Sequence, residues 1–180
     1  MLRDLLAKRR SIRQFQEKLV EQEKIDQLIE IALRAPSSMS RNPWQFIVVT
    51  DRAKIEELSR AKAHGASFMK NAPLAIVVAA DPEKCDVWIE DCSIATFLIH
   101  LGAEDLGLGS CWVQIRERQD SAGCCSERRV SEIVGLPENM HVLAMVAIGY
   151  GVEKKSGHPT ESLPFTQVHF EHYGQSEKTS

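Results

Sequence analysis

The sequence predicts one domain that mixes α-helices with β-strands, and three observations carry that prediction. A chain of 180 residues fits a single buried core. Ile25, Leu28, Ile29, Ala32 and Leu33 recur at helical spacing. Runs such as Leu74 to Ala80 are continuously apolar and rich in β-branched residues, as in a strand covered on both faces. Hydrophobic residues at 43% and charged residues at 26% exclude disorder for most of the chain.

Leu2, Leu5 and Leu6 predict a short opening helix with its apolar face in the core, running into basic residues at Arg9. The Ile25 to Leu33 stripe predicts a second core-facing helix that stops before Pro36. Pro36 to Pro43 is polar and bounded by prolines, which predicts a shaped loop. Trp44 to Thr50 reads as a strand, and Asp51 as the cap of a short helix carrying Ile55 and Leu58. After the Leu74 to Ala80 strand, Val87 to Leu106 is apolar almost all round, so it predicts a helix through the middle of the fold. Gly107 to Ser110 turns the chain into a strand over Cys111 to Ile115. Val130, Ile133 and Val134 line a helix that ends at Gly135, and Val142 to Tyr150 supplies a fourth strand. Beyond Gly151 the chain turns polar around Pro159 and Pro164 before Phe165, Val168, Phe170 and Tyr173. Residues 1–180 are therefore read as one domain, with 152–180 as an extension expected to dock on a partner subunit.

Lys and Arg number 22 against 25 Asp and Glu, a formal charge of −3, so no global basic field favours nucleic acid or an anionic membrane. The apolar run from Cys92 to Ala103 is shorter than the ~18 residues a membrane span needs. Asp4, Lys8, Arg9 and Arg10 interrupt any leader-like apolar segment, so a cytoplasmic location is expected. Five cysteines, an odd number without CxxC or Cys/His spacing, read as reduced thiols, the adjacent Cys124 and Cys125 included. The six histidines show no helical metal-ligand spacing, so no metal is expected.

Two patches carry candidate chemistry. Arg9, Arg10, Ser11 and Arg13 place three guanidinium groups and a hydroxyl within five residues, a dense donor set for a phosphate. Taken alone it reads first as a solvated basic face and only second as a phosphate site. Pro36, Ser37, Ser38, Ser40 and Asn42 gather hydroxyls and an amide suited to a polar ring edge or a ribityl chain. Taken together, RRS-x-R followed by APSS-x-x-x-NPW-x-FIVV resembles the amino-terminal signature of the FMN-dependent nitroreductase family. Asn71-Ala72-Pro73, then LGLGSCW, then GLPENMHVLAMVAIGYG resemble the later blocks of that family in its order, over residues 1 to about 152.

The resemblance implies an α+β, three-layer α-β-α fold with a mainly antiparallel sheet, two intertwined subunits, and FMN at each of two dimer-interface sites. It carries the phosphate and ribityl ligands onto Arg9, Arg10, Ser11 and Arg13. Pro36, Ser37, Ser38 and Ser40, with Asn42, match the loop that reaches the flavin from the other subunit. Asp91 falls where the family often has a polar residue near the flavin, and Cys111, Trp112 and Val113 fall on the segment facing the ring. The usual second phosphate anchor after Gly149-Tyr150 is replaced, leaving Lys154, Lys155 and His158 as its candidates. Met39 to Asn42 departs from the family's small and amide residues, and little chain between Thr50 and Pro73 is left for a substrate-covering insertion.

Hydride transfer between NADH or NADPH, flavin and a small-molecule acceptor is chemistry the cofactor supplies, so no nucleophilic triad is needed. The reading is therefore an NAD(P)H oxidoreductase reducing nitroaromatics, quinones or similar electrophiles by ping-pong exchange. Reductive dehalogenation or enone reduction on the same fold is the alternative, and a flavin binder without turnover is the non-enzymatic one. Cys111 reads as a buried structural thiol before a redox partner. Asp91 reads equally as a surface carboxylate paired with a cation.

Overall fold

The computed structural model describes residues 2–176; Met1 of the opening segment and residues 177–180 of the extension lie outside it. Four strands form one antiparallel sheet: β1 (Trp44–Val49), β2 (Leu74–Ala80), β3 (Gly109–Gln114) and β4 (His141–Gly149), in the order β1-β2-β4-β3. Around it lie α1 (Leu2–Lys8), α2 (Gln22–Leu33), α3 (Arg52–Ser59), α4 (Trp88–Asp105) and α5 (Ser126–Val134). The period-2 alternation of β2 separates two cores. Leu74, Ile76, Val78 and Ala80 join Leu28, Ala32, Ala95 and Ile99 of α2 and α4. Ala75, Val77 and Ala79 join Ile55, Leu58 and Val130 of α3 and α5. This is the three-layer α+β architecture that the resemblance implies.

Local chemistry ends the elements where the sequence places their boundaries. The Asp51 side chain accepts the Lys54 backbone N–H at 2.8 Å and starts α3. Gly135, with φ of +71°, closes α5 in the left-handed conformation. Between Val78 and Ala79 the β2–β4 register skips Leu143. That bulge puts Leu143 and Ala144 on the α2–α4 side and Val142 and Met145 on the other, so both cores stay filled.

Gly109 and Gly149 face each other across β3 and β4. A Cβ on Gly109 would meet Ile12 Cγ2 at 2.8 Å, and one on Gly149 would meet Pro73 Cδ at 2.6 Å. Their bareness lets residues 11–15 lie against the sheet, where Ser11 bridges Ser110 and Phe15 bridges Gly151.

Two expectations are corrected. The α1 face is not core in the single chain, because α1 lies over α4 with no buried residue and with Leu2 and Leu6 exposed. Nor is α4 enclosed all round, since Ile94 and Phe97 remain exposed on it. In the extension, Phe165, Val168 and Tyr173 are exposed too. No helix among the described residues is long and apolar enough to cross a membrane.

Candidate functional site

α1 ends where Arg9 donates its backbone N–H to Leu5. From there the chain runs extended beside the free edge of β3, where Ile12 N–H donates to the Ser110 carbonyl at 2.9 Å. Arg9 and Arg13 are therefore at most ~14 Å apart, the reach of four extended residue steps. The half-buried Arg9 donates from Nη1 to His100 Nε2 of α4 at 2.8 Å. Arg10 turns to the Ser156 carbonyl and lines a cleft of about 270 Å³ with Lys8 and Lys154. The exposed Arg13 stacks its guanidinium 5.9 Å from the Phe68 ring centre and donates its backbone N–H to Glu153 at 2.6 Å.

Ser11, Arg13 and Lys155 gather near the buried Cys111 thiol. Burial pushes this thiol up; the nearby Arg13 charge, the Ser11 hydrogen bond and Lys155 work against that rise. Lys155 donates to the Ser11 carbonyl at 2.9 Å and pairs with Glu153 at 3.1 Å. The structure thus brings Lys155 to Ser11, while Lys154 and His158 are exposed. The pleat divides the neighbouring positions. Cys111 and Val113 pair with Ala147 and Met145 of the α3–α5 core, whereas Trp112 pairs with Val146 on the opposite face. Trp112 donates Nε1–H to Gln114 at 3.0 Å.

The second patch lies elsewhere. Ser38 donates its backbone N–H to Asp91 Oδ1 at 3.0 Å, and Cys85 donates its thiol to Asp91 Oδ2 at 3.3 Å. Asp91 is thus a buried loop anchor bonded to neutral donors, not a surface carboxylate paired with a cation. Met39, Ser40 and Asn42 have φ of +52°, +54° and +47°, a conformation that costs non-glycine residues energy. Cross-bonds hold it: Ser37 Oγ–H donates to Asn42 Oδ1 at 2.7 Å, Asn42 N–H donates back at 2.9 Å, and Arg41 pairs with Asp86 at 2.6 Å. Pro36, Ser40 and Asn42 are exposed on this loop. Asp91 and His100 are nine positions apart on α4, about 14 Å along its axis. One chain therefore holds the Pro36 to Asn42 loop and the Arg9 to Arg13 segment at different parts of the same helix.

Sequence reasoning missed His100, Lys62 and Phe68. Lys62 is half-buried, and burial followed by the Arg118 charge pushes its ammonium down. No motif signals Lys62 or Phe68; only the fold brings Lys62 toward Cys111 and Phe68 to the Arg13 guanidinium. A recess of about 330 Å³ between Phe15, Arg52, Lys70 and Pro73 contains none of the expected site residues. Among the described residues no cluster of three or more His, Cys, Asp or Glu could hold a metal ion.

A helix-flanked antiparallel sheet of order β1-β2-β4-β3, with a guanidinium-rich segment along its β3 edge, defines the α+β class of this chain. The Nitroreductase family matches residues 6–67 and 59–150. An Archaeoglobus fulgidus protein, provisionally named an NADH dehydrogenase/NAD(P)H nitroreductase, is 38% identical over 82% of this chain and 83% of its own length. A Bacillus subtilis FMN reductase [NAD(P)H] is 27% identical, over 97% of this chain and 76% of its own. The solved structure of an FMN-dependent nitroreductase from Clostridium difficile superposes with a TM-score of 0.92 at 44% identity, covering 94% of this chain and 98% of that one. The chain belongs to the nitroreductase family.

Proposed function

We propose that this chain is an FMN-dependent NAD(P)H oxidoreductase that reduces nitroaromatics, quinones or related electrophiles, with reductant and acceptor using one site in turn. The observation that carries the proposal is the gathering of Ser11, Arg13 and Lys155 near Cys111, with Arg9 fixed at the far end of the same segment. Guanidinium, ammonium and hydroxyl donors of this kind fit a phosphate monoester on a polyol chain. When bound, FMN supplies the hydride chemistry. Arg9, Arg10, Ser11 and Lys155 bind its phosphate and ribityl chain, while Arg13 and the β3 segment orient the ring. Ala63 N–H donates to the Gln119 carbonyl at 2.9 Å, which ties down the loop that carries Lys62 toward Cys111.

The working form is a homodimer in which the Pro36 to Asn42 loop of one copy closes the Arg9 to Arg13 segment of the other. The separation of the two patches along α4 supports it, as do Leu2, Leu6, Ile94 and Phe97, apolar groups that a single chain leaves in water. Five free cysteines suit a reducing cytoplasm. The extension belongs to the same assembly, since Phe165, Val168 and Tyr173 need a surface to cover them. Truncation after Gly157 is expected to dissociate or aggregate the protein in sedimentation experiments. A truncated chain that stays a stable FMN-loaded dimer removes that role.

The proposal is tested by purification and steady-state kinetics. The protein is expected to be yellow, with about one noncovalent FMN per chain, bleached by NAD(P)H without oxygen. Initial rates with reductant and acceptor both varied should give parallel lines. Cys111→Ser should keep that pattern, because the thiol is buried against the sheet and burial holds it protonated. A colourless protein that ignores added FMN, or intersecting lines, defeats the reading.

A further inference from the structure

His100 has no part in the site as the sequence describes it. It is 5% exposed, in the middle of α4, and both of its ring nitrogens are engaged. A guanidinium only donates, so Nε2 must accept from Arg9, and the ring proton then sits on Nδ1 and is donated to Ser110 Oγ. Ser110 completes the chain by donating its hydroxyl to the His100 carbonyl at 3.3 Å. These bonds define one neutral tautomer. Burial, followed by the Arg9 charge, pushes His100 down to about 4, in keeping with that state.

A neutral acceptor has a consequence that a carboxylate would not. It fixes the guanidinium by one N–H yet leaves the positive charge uncancelled and the other donors available. Ser110 ties the same ring to β3, the strand against which Ile12 and Ser11 are laid. Arg9 is thus held in register with the strand that carries Cys111. With Cys111 and Arg13 taken to face the ring, as in the FMN reading above, Arg9 at the other end of the segment falls to the phosphate.

We infer that His100 is a positioning residue: through its neutral imidazole, held by Ser110, it orients the Arg9 guanidinium to receive the phosphate of the bound flavin. This rests on the FMN reading above. Because His100 acts only through Arg9, its effect is confined to ligands that carry the phosphate.

The test compares FMN and riboflavin affinities by fluorescence titration of apoprotein that has been checked for a cooperative thermal melt. His100→Leu is expected to weaken FMN roughly tenfold, the effect of losing a hydrogen bond to a charged group, and to leave riboflavin unchanged. His100→Gln, whose Oε1 can replace Nε2 as acceptor, should restore most of the FMN affinity. In an Arg9→Ala background, His100→Leu should cause no further loss. Equal weakening of FMN and riboflavin, or a full additional loss without Arg9, overturns the inference in favour of a packing role. Unchanged FMN affinity in a folded His100→Leu protein overturns it as well, with the FMN reading intact. A wild-type protein that binds neither flavin overturns both.

Discussion

Replacing Arg9 or Arg13 by Ala is expected to weaken FMN binding by about 1.5–3 kcal/mol each, the range for hydrogen bonds to charged groups. At roughly 1.4 kcal/mol per decade this is about a 10- to 100-fold rise in Kd. The two variants should differ in kind. Arg9 is fixed through His100 at the phosphate end, so its loss should weaken FMN while leaving riboflavin nearly unchanged, narrowing the preference between them. Arg13 lies over Phe68 and near Cys111, so its loss should weaken both flavins. Arg10→Ala should cost less, because its guanidinium is engaged by Ser156 and faces the cleft of Lys8 and Lys154. Titration of the three variants checks the order, and an Arg10 effect larger than both others reverses the assignment.

Acid should expose His100 as a titrating weak point. Its native value of about 4 lies below the ordinary 6.5, so the unfolded chain takes up the proton first as pH falls. Stability is then lost from about pH 6.5 downward, and this loss levels off only below about pH 4, where both states become protonated. The gap of about 2.5 pH units corresponds to ~3 kcal/mol. Glu21, Asp86 and Glu153 are held below the ordinary carboxylate value by their hydrogen bonds, so their losses fall in a lower window, beginning near pH 4.5. Urea midpoints at pH 7, 5.5 and 4.5 for wild type and His100→Gln should separate the two. The variant lacks the titrating group, and an identical slope above pH 4.5 in both proteins removes His100 from the acid response.

The order of helices and strands was legible in the sequence because short-range patterns dictate it. The apolar run of β2 is buried at every residue, Asp51 caps α3, and Gly135 closes α5. The Arg9 to Arg13 cluster was legible for a similar reason: charge density within five residues is a local property. Tertiary structure alone decided where those charges go. Extended backbone and the bare glycines of β3 and β4 lay the segment along the sheet, sending Arg9 to His100 and Arg10 to Ser156 across 91 and 146 positions. The same distinction separates Lys155, which reaches Ser11, from Lys154, which does not share that bond. Asp91 shows the limit from the other direction, since a carboxylate in a helix's first turn looks solvated until Ser38 and Cys85 close over it. Patterns of 2 and 3.6 residues select elements, but partners far apart in sequence meet only when sheet order and helix packing are fixed.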